Sequence, residues 1–133
     1  MSVVVDCSVL VVAVVDAGPH GAWAERLFAT ESLHAPELAL VEATNVLRRL
    51  ERAKQITTAD ANAAYADLTQ LEIQLFPFEP FAERIWALRH TCTSYDAWYV
   101  ALAETLELPL ATLDLHLARA KGPTCRFLNP ERP

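Results

Sequence analysis

Ser2-Val3-Val4-Val5-Asp6-Cys7-Ser8 lies at the start of the chain. Three consecutive β-branched apolar residues, with no alternation of polar positions, read as a strand buried on both faces, the habit of a parallel sheet. The strand ends at Asp6, and Ser8 is placed to cap a short helix reaching about Val14. In open α/β sheets ligands bind beyond the carboxyl ends of the strands, so Asp6 stands at a position suited to chemistry.

Outward from this stretch, strand and helix patterns alternate. Asp16-Ala17-Gly18-Pro19 reads as a turn. Residues 20–29 read as a helix with Trp23 and Leu27 at helical spacing, and Leu33-His34-Ala35 as a short strand closed by Pro36. Residues 37–52 are strongly helical, with Leu38, Val41, Asn45 or Val46, and Arg49 recurring at three- and four-residue steps. Thr57 or Thr58 starts a helix to about Leu71, and residues 73–76 form a strand stopped by Pro77. Pro80 suits the first position of a helix to about His90, and Ser94 the cap of a helix to about Glu107. Leu110-Ala111-Thr112 is a strand with Asp114 just beyond it, residues 115–120 a short helix, and residues 125–128 a last edge strand. The alternation predicts a three-layer α/β/α fold around a central, mainly parallel sheet of four or five strands.

A chain of 133 residues suits one domain spanning 1–133, large enough to need no disulfide or metal staple. With 3 glycines, flexible linkers are not expected. Cys7, Cys92 and Cys125 cannot all pair and lack metal-ligand spacing, so they read as reduced thiols of a cytoplasmic protein. The opening stretch has no basic segment and is interrupted by Asp6 and Asp16, so it does not read as a signal peptide. No apolar run is long enough to predict a membrane span. The net charge of −6 argues against broad, sequence-blind binding to nucleic acid. That objection weakens if several of the acids sit on a cation.

Asp6 and Asp114 fall just past strand ends, Glu42 follows the second strand, and Asp96 lies at the start of a helix. The sheet therefore gathers four acids from distant parts of the chain on one rim. Without a cation they would repel, and some would take up protons. Mg²⁺ or Mn²⁺, as one or two ions, suits such an all-oxygen site and can activate a water for in-line attack on a phosphodiester. Ser8, Asn45 and Thr112 accompany the acids at spacings that let them orient carboxylates or metal-bound waters. Taken singly, each acid has a plainer reading as a helix cap, a turn residue or a solvated helix position. Their joint placement favours the site.

The words Val5-Asp6-Cys7-Ser8, Val41-Glu42-Ala43-Thr44-Asn45, Ser94-Tyr95-Asp96-Ala97-Trp98 and Leu110-Ala111-Thr112-Leu113-Asp114, in that order, resemble the PIN-domain nucleases, in particular the VapC-type toxins. The resemblance covers nearly the whole chain. It implies Mg²⁺- or Mn²⁺-dependent cleavage of RNA that leaves a 5′-phosphate and a 3′-hydroxyl. It assigns the acidic quartet to Asp6, Glu42, Asp96 and Asp114, with Ser8, Asn45 and Thr112 in support. It also implies a homodimer, inhibited by a cognate antitoxin, with DNA bound only indirectly through that antitoxin. Two departures stand out. Many relatives carry an arginine soon after the last acid, where this chain has Leu115-His116 and, later, Arg119. Many also carry a glycine before the fourth strand, where Glu107-Leu108-Pro109 stands here.

Arg48 and Arg49, with Arg52 and Lys54, crowd the end of the Glu42 helix, where they could meet RNA phosphates or simply favour the helix dipole. His116 and Arg119 are the other candidates for RNA contact. Lys121 and Arg126 read as solvated. Trp23, Trp86 and Trp98 read as core or dimer packing before base stacking, and the histidines lack the spacing of a zinc site. Two other functions compete. One is a catalytically idle partner that binds RNA or an antitoxin. The other is a metal-dependent phosphatase, which would carry a second acid where Ser8 stands.

Overall fold

The computed structural model describes residues 1–132. Five parallel strands form the sheet: β1 (Ser2–Val5), β2 (Ser32–Pro36), β3 (Ile73–Phe76), β4 (Leu110–Ala111) and β5 (Phe127–Leu128), in the order β3-β2-β1-β4-β5. Seven helices connect them among the described residues: α1 (Cys7–Val15), α2 (Pro19–Thr30), α3 (Ala39–Arg52), α4 (Thr58–Gln70), α5 (Ala82–Ala87), α6 (Ser94–Leu106) and α7 (Leu115–Arg119). The chain steps outward from β1 to β3, then returns to lay β4 against the other side of β1. Right-handed crossovers in opposite directions must cover opposite faces of the sheet. Accordingly α1 packs with α2, α3 and α4, while α6 packs with α5 and lies against β1, β2 and β4. This is the three-layer α/β/α architecture the sequence predicts.

Val3, Val4 and Val5 are buried, as a central parallel strand requires. Around them pack Val9 and Leu10 from α1, and Val100, Ala101 and Leu102 from α6. The alanines of α6 let its backbone approach the sheet closely. At Gly21 an added Cβ would lie 1.9 Å from the Asp16 carbonyl oxygen, so the turn into α2 demands glycine there.

Several boundaries differ from the sequence reading. Ser8 does not cap α1; Asp6 does, with extended backbone (φ −90°, ψ 174°) and a carboxylate accepting from the Val9 N–H at 3.2 Å. Ser8 instead turns its hydroxyl onto Asp6. Thr93, not Ser94, caps α6, accepting from the Asp96 N–H at 3.1 Å. Helix α3 begins at Ala39 because the Glu37 N–H prolongs the ladder to β3, bonding to the Phe76 carbonyl at 2.9 Å. Pro80 falls in a 3₁₀ turn (Glu79–Phe81), and α5 stops well before His90 because the chain turns there to bury Leu88 and Cys92. Trp23 and Trp98 are buried, whereas Trp86 is 67% exposed, with the Arg89 guanidinium 4.4 Å from its ring centre. The cysteines are unpaired. Burial is the main cause raising the Cys7 thiol to about 12 and the Cys125 thiol to about 11. Among the described residues, no single helix is long and apolar enough to cross a membrane.

Candidate active site

The strand order reverses between β1 and β4, which leaves a crevice at their carboxyl ends where neighbouring connections diverge to opposite faces. Asp6 ends β1 in this crevice and is 6% exposed. Ser8 Oγ donates to its Oδ1 and Thr112 Oγ1 to its Oδ2. Each hydroxyl also accepts from the backbone after β4: Ser8 Oγ from the Leu113 N–H at 3.0 Å, and Thr112 Oγ1 from the Asp114 N–H at 3.0 Å. Both oxygens of Asp6 are thus bridged to the segment carrying Asp114. Burial lifts the Asp6 carboxyl from its ordinary 3.8 to about 6, against the pull of these hydrogen bonds, and Asp96 adds to the rise.

The other acids approach from helix starts. Glu42 lies in the first turn of α3 and is half-buried. Tyr99, buried on α6, donates its hydroxyl to Glu42 Oε1 at 2.8 Å. Asp96 lies one turn earlier on α6. Burial raises both Glu42 and Asp96; Asp96 raises Glu42 further, and Asp114 raises Asp96. Asp114 caps α7, accepting from the His116 N–H at 2.9 Å and the Leu117 N–H at 3.2 Å. Asp96 is thus electrostatically linked to each of the other three acids. Among the described residues the ion pairs are Met1 with Glu31 and Arg84 with Glu104, and neither engages these acids.

The donor set is all carboxylate oxygen, the chemistry of a hard divalent cation. Burial first, and the nearby Asp96 and Asp114 charges after it, raise Asp6, Glu42 and Asp96, as expected where acids gather without a cation. Among the described residues, no three His, Cys, Asp or Glu side chains lie close enough to enclose an ion by themselves.

The remaining candidates scatter. Asn45 is exposed and makes no side-chain hydrogen bond among the described residues. Arg48 and Arg49 are exposed on α3; Arg49 is near enough to Cys7 to oppose the rise of its thiol. His116 and Arg119 line an open cleft of about 450 Å³ with Asp96, Asp114 and Lys121. Lys121 thus joins the site's surroundings. Tyr99 went unnoticed in the sequence. Its place three residues after Asp96, on the same helical face, was the available signal.

The PIN domain family model matches residues 3–123. Ribonuclease VapC9 of Mycobacterium tuberculosis is 37% identical over 123 residues, which cover 92% of this chain and 94% of that protein. The structure is similar to that of PAE2754 from Pyrobaculum aerophilum, with a TM-score of 0.72 and 25% identity, covering 98% of this chain and 85% of the other. It is also similar in fold to VapC20 of Mycobacterium tuberculosis, described as a sarcin-ricin loop cleaving toxin, with a TM-score of 0.65 and 19% identity, covering 88% of this chain and 93% of the other.

Proposed function

The chain belongs to the PIN-domain family, and on that premise we propose that it is an endoribonuclease, the toxin of a toxin–antitoxin pair. The observation that carries this reading is the placement of Asp6: buried at the strand-order reversal, gripped on both oxygens by Ser8 and Thr112, and coupled through Asp96 to Glu42 and Asp114. The kinship with ribonuclease VapC9 supplies the substrate class.

Asp6, Asp96 and Asp114 would supply ligands to one or two Mg²⁺ or Mn²⁺ ions, and Glu42 would either join them or orient a water. Such a cation would supply an acidified water and offset the charge that builds on the scissile phosphate. The protein's own groups do the rest. Ser8 and Thr112 keep Asp6 ionised and aimed, and Tyr99 holds Glu42 by one oxygen, leaving the other free. His116, Arg119 and Lys121 border the cleft where RNA phosphates would lie. Asn45, Arg48 and Arg49 lie farther out, where longer RNA or a partner would meet them. The protein works as a homodimer in the cytoplasm and is restrained by a cognate antitoxin, through which alone it meets DNA.

An idle binding partner has no use for a buried Asp6 gripped on both oxygens beside further acids, and a phosphatase would need an acid at Ser8, whose hydroxyl is already committed to Asp6. Induced expression in a bacterial host tests the reading. Growth should arrest with discrete RNA fragments, and Asp6→Asn should grow normally. Equal arrest by both would overturn it.

A further inference from the structure

Beyond α7, the surface turns basic in an otherwise acidic chain. Arg119, Arg126 and Arg132 line one groove of about 510 Å³, against a single acid, Glu131. Among the described residues none of these three arginines forms an ion pair. Exposed guanidinium groups gathered without partners repel one another, so the groove is complementary to an anion in the way the acidic crevice is complementary to a cation.

Its walls are firmly built. Arg126 directly precedes β5, and its carbonyl accepts from the Leu110 N–H of β4 at 2.8 Å. Arg132 is held by a turn around Asn129, which is 7% exposed and whose Oδ1 accepts from the Glu131 N–H at 3.0 Å and the Arg132 N–H at 2.9 Å. The groove is also registered to the acids. The Thr112 N–H bonds to the Leu128 carbonyl at 3.0 Å while the Thr112 hydroxyl holds Asp6. Arg119 lines both this groove and the cleft of Asp96 and Asp114.

We propose that Arg119, Arg126 and Arg132 form a phosphate track that carries the backbone of single-stranded RNA from the acidic cleft across the β5 edge. The inference rests on the ribonuclease reading. The guanidinium fork matches phosphate oxygens, and continuity with the acidic cleft fits one substrate strand spanning both. An added peptide strand fits less well, because β5 is only two residues long and offers a short ladder for pairing.

The test is fluorescence anisotropy with a short labelled single-stranded RNA in Mg²⁺, titrated with salt, in an Asp6→Asn background that leaves the RNA uncut. Adding Arg126→Ala and Arg132→Ala should weaken binding roughly tenfold and lower the salt slope by about 1.4, since each phosphate contact to a single strand contributes about 0.7. Replacing both by lysine should restore most of the slope, which separates charge from misfolding. In the active protein the alanine pair should raise KM and leave kcat unchanged. Unchanged affinity and slope would overturn the track, even with Asp6-dependent cleavage intact. So would an acidic polyglutamate peptide that binds the groove in place of RNA and is lost with the alanine pair. Loss of cleavage competence in the unsubstituted chain would instead count against the ribonuclease reading, and the binding measurement would still judge the groove.

Discussion

The Tyr99 hydroxyl donates to Glu42 Oε1 at 2.8 Å across 57 positions of sequence, joining α6 to the first turn of α3. Burial and the Glu42 carboxylate push the Tyr99 phenol up, so it remains a donor throughout the physiological range, while its hydrogen bond pulls Glu42 down against the rise that burial imposes. Removing the hydroxyl with Tyr99→Phe keeps the ring in the core and frees Glu42 to swing. RNA cleavage should fall about tenfold, the order set by one hydrogen bond to a charged group, while the melting midpoint moves little. Single-turnover cleavage beside a thermal melt checks this, and undiminished cleavage would remove Glu42's anchored orientation from the account.

Asp6 makes the metal-free protein sensitive to pH in an unusual direction. Its folded carboxyl binds a proton up to about 6, against an ordinary 3.8. The folded state therefore holds more protons than the unfolded one between these values, and stability falls as pH rises from about 4 to about 6. Glu42 and Asp96, also raised, act in the same sense. In EDTA at pH 7, Asp6→Asn should be more stable than the parent by up to about 3 kcal/mol, and the two should converge near pH 4. The amide keeps a carbonyl oxygen for capping α1. Melting curves in EDTA across this range decide it; a destabilised variant at pH 7 would mean that the cap and hydroxyl contacts outweigh the burial of charge.

Glu104 ties three segments together. It accepts from Arg84 Nε at 2.7 Å and Nη2 at 3.1 Å, and from the Thr124 N–H at 2.7 Å and hydroxyl at 2.8 Å, while Arg84 Nη2 also reaches the Gly122 carbonyl at 2.8 Å. Arg84 and Thr124 hold the Glu104 carboxyl below its usual range despite its burial. Its stabilisation is fully present above the unfolded value and is lost as pH falls through the folded one. Glu104→Gln should cost about 1–2 kcal/mol at pH 7 and progressively less below pH 4, as read by chemical denaturation.

Glu107 ends α6 in the left-handed region, at φ 55° and ψ 43°. This is the stretch before β4 where the resemblance leads one to expect glycine. The strain of a side chain in that conformation exceeds the entropic cost of glycine, so Glu107→Gly should stabilise the protein by about 0.5–1 kcal/mol, raising the midpoint by a few degrees. A lower midpoint would show that Glu107 earns its place through contacts of its own.

The sheet and its helices were legible because Val3–Val5, Ile73–Phe76 and the periodic face of α3 carry patterns that tertiary structure rarely overrides. Caps were harder to assign. Thr93 and Ser94 are adjacent hydroxyl residues, and the backbone alone decides which of them turns extended. Ser8 lost its cap because α1 starts two residues earlier, at Asp6, which leaves Ser8 inside the first turn with its hydroxyl on the Asp6 carboxylate. The acids themselves could be found, since strand ends and helix starts are local signals. Their partners could not: Tyr99 to Glu42 and Thr112 to Asp6 are contacts across 57 and 106 positions, made only when the sheet closes. The arginine groove was invisible for the same reason: Arg119 stands out in the sequence as a candidate for RNA contact, but Arg126 reads as a solvated charge and Arg132 carries no signal until α7 and β5 bring the three together.

The most direct measurement is digestion of total cellular RNA by purified protein freed of any antitoxin, with Mg²⁺ or Mn²⁺, with EDTA, and with Asp6→Asn in parallel. The account predicts discrete fragments bearing 5′-phosphates in the metal-containing reactions alone, and none from the variant. Fragments that persist in EDTA or with Asp6→Asn, or no cleavage by a folded, metal-loaded protein, would contradict it.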